Sequence, residues 1–140
     1  MKTGFYKITS LALALTFAAV GGLFLLRPDA VLSFMNSLGR GFGWPEAPLN
    51  GAGFYLALAV GYMYVVTVLA VMMFRDPSRR ILPILLAHGK GASSLLSIGM
   101  FFFHERFFVY LANGVVDLSL CILALFMAGR VRAAKEPAGR

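Results

Sequence analysis

The sequence predicts an all-α membrane protein: an antiparallel bundle of four transmembrane helices, with a short amphipathic helix in the first outer loop. Three observations predict it. Of the 140 residues, 59% are hydrophobic and only 14% charged, whereas a soluble domain carries about 45–50% and roughly 25%. Four apolar stretches are long enough to cross hydrocarbon ~30 Å thick, which takes about 20 helical residues. The remaining charges gather at the ends of those stretches. The length suits one domain, expected over residues 1–132 with a flexible cytoplasmic tail over 133–140.

The first span, about 8–26, holds no charge between Lys7 and Arg27. Lys2 and Lys7 before an apolar core could mark a signal peptide. The run continues through AAVGGLFLL, however, beyond the 7–15 residues usual for a signal core, which favours a retained helix. The loop that follows starts RPDAVLSFMNSLGRGFGW. Pro28 suits a first helical position, and Val31, Phe34, Met35 and Leu38 recur at i, i+3, i+4 and i+7. This spacing predicts an amphipathic helix over Pro28–Leu38, lying on the outer leaflet and closed by Gly39. Phe42 and Trp44 are expected at headgroup depth, where aromatic residues concentrate. The helix would seal the bundle or act as a lid, with Gly39, Gly41 and Gly43 as hinges.

The second span covers about 53–74, and the basic turn RDPSRR follows, where Pro77 stops the helix. Spans three (81–103) and four (107–127) are separated only by His104, Glu105 and Arg106. So short a connection makes them antiparallel neighbours.

Lys/Arg placement sets the direction. Nine of the thirteen lie before span one, between spans two and three, or after span four. The positive-inside rule then puts both termini in the cytoplasm, as expected of a multi-pass protein of a bacterial inner membrane. The same distribution argues against nucleic acid as a partner, despite a net charge of +7, because no basic face is formed. The single cysteine, Cys121, cannot make an intrachain disulfide, and in hydrocarbon its thiolate is disfavoured. No phosphate loop, HExxH, CxxC or nucleophile elbow occurs. His88 and His104 are sixteen residues apart on one helix, hence ~24 Å, and cannot be the two axial ligands of one haem. No metal site is expected, and no cofactor is indicated.

Inside the spans the chemistry narrows to one polar cluster. Lys90 and Asp117 both fall near mid-depth, on the two helices that the short hairpin forces together. A charge at a helix centre costs at least ~2.5–3.5 kcal/mol, so two opposite charges at matched depth predict a buried ion pair. The alternatives are an uncharged Asp117 or a water-filled gap. Asn113, Asp117 and Cys121 recur at i, i+4 and i+8 as a polar stripe. Gly89, Ser93 and Ser97 form a small-xxx-small series, with Ser94 beside them, that permits close helix approach. His88, Lys90, Asn113, Asp117 and Tyr62 are the candidates for a ligand site or proton pathway, with Thr67 nearby. Of Tyr55, Tyr62 and Tyr64, Tyr62 is nearest mid-depth.

Length and span count are similar to those of small multidrug-resistance exporters. The membrane-embedded glutamate of that group belongs in the first span, and this first span contains no acid. Three readings of function stand. The first is a non-catalytic subunit or assembly partner, meeting other membrane subunits or further copies of itself in the bilayer. It rests on the small residues of span one (Ala12, Ala14, Ala18, Ala19, Gly21, Gly22) and the lack of catalytic motifs. The second is a small proton- or ion-coupled transporter or channel using the Lys90–Asp117 cluster. The third is a binding protein or enzyme for a lipid-soluble ligand such as a quinone.

Overall fold

In the computed structural model of the protein, residues 3–49 and 53–135 are described. Lys2, Arg140 and the end of the tail, 136–140, lie outside the described residues. Among the described residues the chain forms five helices: α1 (Thr3–Leu26), α2 (Pro28–Arg40), α3 (Gly53–Arg75), α4 (Ile81–Phe103) and α5 (Phe108–Lys135). Of these, α1, α3, α4 and α5 are long and apolar enough to cross a membrane, so the chain is a multi-pass membrane protein. In hydrocarbon the helix is the form that satisfies every backbone group within one segment.

The spans pack as two antiparallel pairs, α1 with α3 and α4 with α5, and α3 joins the pairs through α4. Their shared core lies toward the end that carries both termini. Tyr6, Leu13 and Phe17 of α1 meet Val66, Ala70 and Met73 of α3, Leu82 and Leu86 of α4, and Ala124, Met127 and Val131 of α5. Hydroxyls on the spans largely satisfy themselves along their own helix: Ser10 donates to the Tyr6 carbonyl, Thr67 to Met63 and Ser119 to Val115.

Two boundaries differ from the sequence reading. Helix α5 runs on to Lys135 rather than ending near Met127, because Ala128, Gly129 and Val131 continue the helix and Ala128 and Val131 remain buried. Helix α2 runs through Gly39 to Arg40, so Gly39 does not close it. Gly39 is instead a contact residue: a Cβ there would stand 2.8 Å from the Phe108 Cβ. The turn after the helix falls at Gly43, whose φ of 70° is the one positive value among the described residues; that backbone region suits glycine.

The loop after α2 folds back on it. Asn36 is buried and clamps Ala47 with both ends of its amide: Nδ2 donates to the Ala47 carbonyl and Oδ1 accepts the Ala47 N–H, each at 2.9 Å. Trp44 meets Phe101 edge-on at 5.2 Å between centroids, and Phe42 stacks on Phe108 at 6.0 Å. The two aromatics thus cover the α4–α5 end of the bundle.

Candidate functional site

Lys90 stands nine residues beyond Ile81 and Asp117 nine beyond Phe108. At 1.5 Å per residue each is ~14 Å from the start of its helix, and the pairing of α4 with α5 brings the lysine side chain to the carboxylate. Lys90 Nζ donates to Asp117 Oδ1 at 2.9 Å, with both side chains 4% exposed. The expected ion pair is therefore present. The ammonium also lies 4.9 Å from the ring centroids of Phe17 and Tyr62. Aromatic faces at this distance attract a cation, most strongly where water is excluded. Lys90 is thus the point where α1, α3, α4 and α5 all meet.

Small residues explain how the helices come this close. A Cβ on Gly89 would lie 3.5 Å from the Tyr62 hydroxyl, and one on Gly91 would lie 3.3 Å from Cys121 Sγ. Gly114 is tighter still, since a Cβ there would fall 2.6 Å from Ile98 Cγ1. The close approach also brings a backbone carbonyl within reach: Ser94 Oγ donates to Gly114 O at 2.8 Å. Beside it on α5, Asn113 Nδ2 donates to Ser97 Oγ at 2.8 Å and more weakly to Ser93 Oγ at 3.4 Å. Asn113, Asp117 and Cys121 therefore all meet α4, as their spacing implied.

Two buried polar atoms of the cluster have no hydrogen-bond partner, Tyr62 OH and Asp117 Oδ2. His88 is not brought to the cluster. Two residues along a helix are ~200° apart, so His88 is exposed on the opposite side of α4 from buried Lys90. Its Nδ1–H donates to the Ile84 carbonyl at 2.9 Å. Thr67 is occupied by its own helix. The sequence reading missed Phe17 and Asn36. Phe17 looks like any apolar residue of a span. Asn36, a polar residue beside the apolar positions of an amphipathic helix, was the available signal for the Ala47 clamp. Among the described residues, no group of three or more His, Cys, Asp or Glu side chains could hold a metal ion.

Four packed apolar helices around one buried ion pair define a small polytopic integral membrane protein. No known protein family matches the chain, and no curated protein or solved structure is significantly similar to it.

Proposed function

We propose that the chain is a non-catalytic subunit or assembly partner of a membrane complex. The Lys90–Asp117 pair fixes its own helices, and the outward side of α4 meets a neighbouring helix. The observation that carries this reading is His88, a polar ring exposed on a span among apolar residues. Large apolar side chains exposed on a span need no explanation, because lipid covers them; an imidazole facing hydrocarbon does. Ala92 and Gly99 continue the same side of α4, on which the exposed apolar side chains of Ile81 and Leu95 also lie. Small residues next to a polar group are the usual composition of helix contacts in membranes. Phe17 and Tyr62 close over the Lys90 ammonium, which favours a fixed tie over a proton relay.

The test is the mass of the particle extracted in mild detergent, for the natural chain and for His88→Leu. The expected result is a larger assembly, with further copies or other subunits, that His88→Leu dissociates while the single chain keeps its helical signal and melting point. A natural chain that runs alone, or an assembly indifferent to His88→Leu, would overturn the proposal.

A further inference from the structure

Away from the buried ion pair, charge also meets a cavity at the end of the bundle that carries the termini. It lies between the end of α3 and the start of α4, measures about 220 Å³, and is lined by Met72, Arg75, Asp76, Arg79 and Leu82. Arg75 is the last residue of the apolar span of α3, and Ile81 is the first of α4. The cavity therefore stands at the boundary between hydrocarbon and water. Its lining follows that boundary: Met72 and Leu82 belong to the spans, whereas Asp76 and Arg79 belong to the turn between them.

Two guanidiniums share this lining with one carboxylate, and the carboxylate is already occupied. Asp76 Oδ1 accepts from the Ser78 N–H at 3.2 Å and from Ser78 Oγ at 2.6 Å, and Oδ2 accepts from Arg79 Nε at 2.7 Å. Asp76 is thus a brace. It holds the Arg79 guanidinium through Nε and leaves the two terminal nitrogens as donors. Arg75 has no such counter-ion: the ion pairs among the described residues are Arg40–Glu46, Arg79–Asp76 and Lys90–Asp117. The lining therefore keeps an excess of positive charge. Its volume is below the ~300–1,000 Å³ of pockets that enclose a small molecule, and it suits a head group whose chains lie elsewhere. Guanidiniums match phosphate oxygens in both geometry and charge, and basic pockets between spans at a membrane surface take anionic head groups.

We infer that this cavity holds the phosphate of an anionic phospholipid, with Arg75 and Arg79 donating to its oxygens and the acyl chains passing Met72 into the bilayer. The inference does not need the partner proposed above, which meets a different part of α4. Arg80 belongs to the same turn but does not line the cavity. It separates a defined site from the general attraction of a basic turn for anionic lipid.

The experiment is native mass spectrometry of the full chain in detergent with three probes: dioleoyl phosphatidylglycerol, dioleoyl phosphatidylcholine and glycerol 3-phosphate. The expected result is retention of phosphatidylglycerol over phosphatidylcholine, which has the same chains and a phosphate but a cancelling ammonium. Excess glycerol 3-phosphate should not displace it. Arg75→Gln should weaken retention of phosphatidylglycerol about fivefold, the contribution of one cation beside an anionic head group, while Arg80→Gln leaves it unchanged. Both arginines are exposed, so neither substitution touches the core. Equal retention of the two lipids, or retention of phosphatidylglycerol unchanged in Arg75→Gln, would overturn the inference. Equal losses in Arg75→Gln and Arg80→Gln would also overturn it, assigning the affinity to the charge of the turn as a whole. Displacement by glycerol 3-phosphate would assign the cavity to a soluble phosphate instead of a lipid.

Discussion

Between α4 and α5 the contacts run through polar groups: Lys90 to Asp117, Ser94 to the Gly114 carbonyl, Asn113 to Ser97. Between α1 and α3 they are mainly apolar. Gly21 lies against Met63, and at the terminal end Lys7 sits over the Phe74 ring at 5.9 Å. The two pairs belong to one bundle, yet they are specified differently. Apolar side chains gain little from each other in lipid, so α1 and α3 depend on shape. Hydrogen bonds and charge fix α4 against α5 at one register, because sliding one helix by a turn would leave each polar group facing hydrocarbon. A buried ion pair adds little net stability over a well-packed apolar pair; what it adds here is a single permitted alignment.

The largest effect should come from removing half of the pair. Lys90→Leu leaves Asp117 buried and uncompensated, and the expected loss is about 3–5 kcal/mol, read from unfolding in mixed micelles of increasing SDS content. Replacing both residues with Leu should recover most of it, as should the exchange Lys90→Asp with Asp117→Lys. A Lys90→Leu chain as stable as the natural one would remove the distinction between the two helix pairs.

A smaller effect separates the pairs by shape. Gly114→Ala puts a methyl 2.6 Å from Ile98 Cγ1, whereas Gly21→Ala puts one 3.0 Å from Met63 Cβ. Overpacking of the first kind costs about 1–3 kcal/mol; Gly21→Ala should cost less. Equal losses in the same titration would show that α4 and α5 approach no more tightly than α1 and α3.

The smallest effect lies in the turn that joins the two pairs. The Asp76 carboxyl is held below its usual range, first by the hydrogen bond from Ser78 Oγ, with the Arg79 side chain and the Ser78 N–H adding to it and desolvation opposing. A carboxylate lowered in the folded state stabilises above its unfolded-state value, about 4, and that stabilisation is lost as pH falls through the folded-state value. Asp76→Asn should therefore lower stability slightly at neutral pH, where that stabilisation is fully present, match the natural chain in strong acid, and so flatten the acid limb of the profile. An identical acid limb in both chains would assign it to other carboxylates.

Much of this arrangement was legible in the sequence because the bilayer imposes few choices. Length and apolarity mark the spans, and the three residues His104, Glu105 and Arg106 leave α4 and α5 no option but to lie side by side. With that neighbour fixed, equal depth was enough to pair Lys90 with Asp117. What could not be read depended on rotation and on distant contacts. His88 is close to Lys90 in sequence but on the other side of α4, and depth alone does not report the angle. Phe17 reaches Lys90 from a helix over seventy residues earlier, and nothing in an apolar run marks which phenylalanine will do so. Gly39 sits where a helix could stop, but the backbone of α2 had no need to turn there: its missing side chain makes room for Phe108 instead.

The ion pair also bears on how the chain enters a membrane. Of the four spans, α4 has the lowest mean hydropathy, 1.3 against 2.0 to 2.2 for the others. A helix with a lysine near its centre partitions from the translocation channel at a penalty of about 2.5–3.5 kcal/mol, and its counter-ion is not yet synthesised. Asp117 follows 27 residues later, on the far arm of a tight hairpin. Only when both arms of the α4–α5 hairpin are in lipid does the lysine have its counter-ion; with α4 alone inserted, the cation would be unaccompanied.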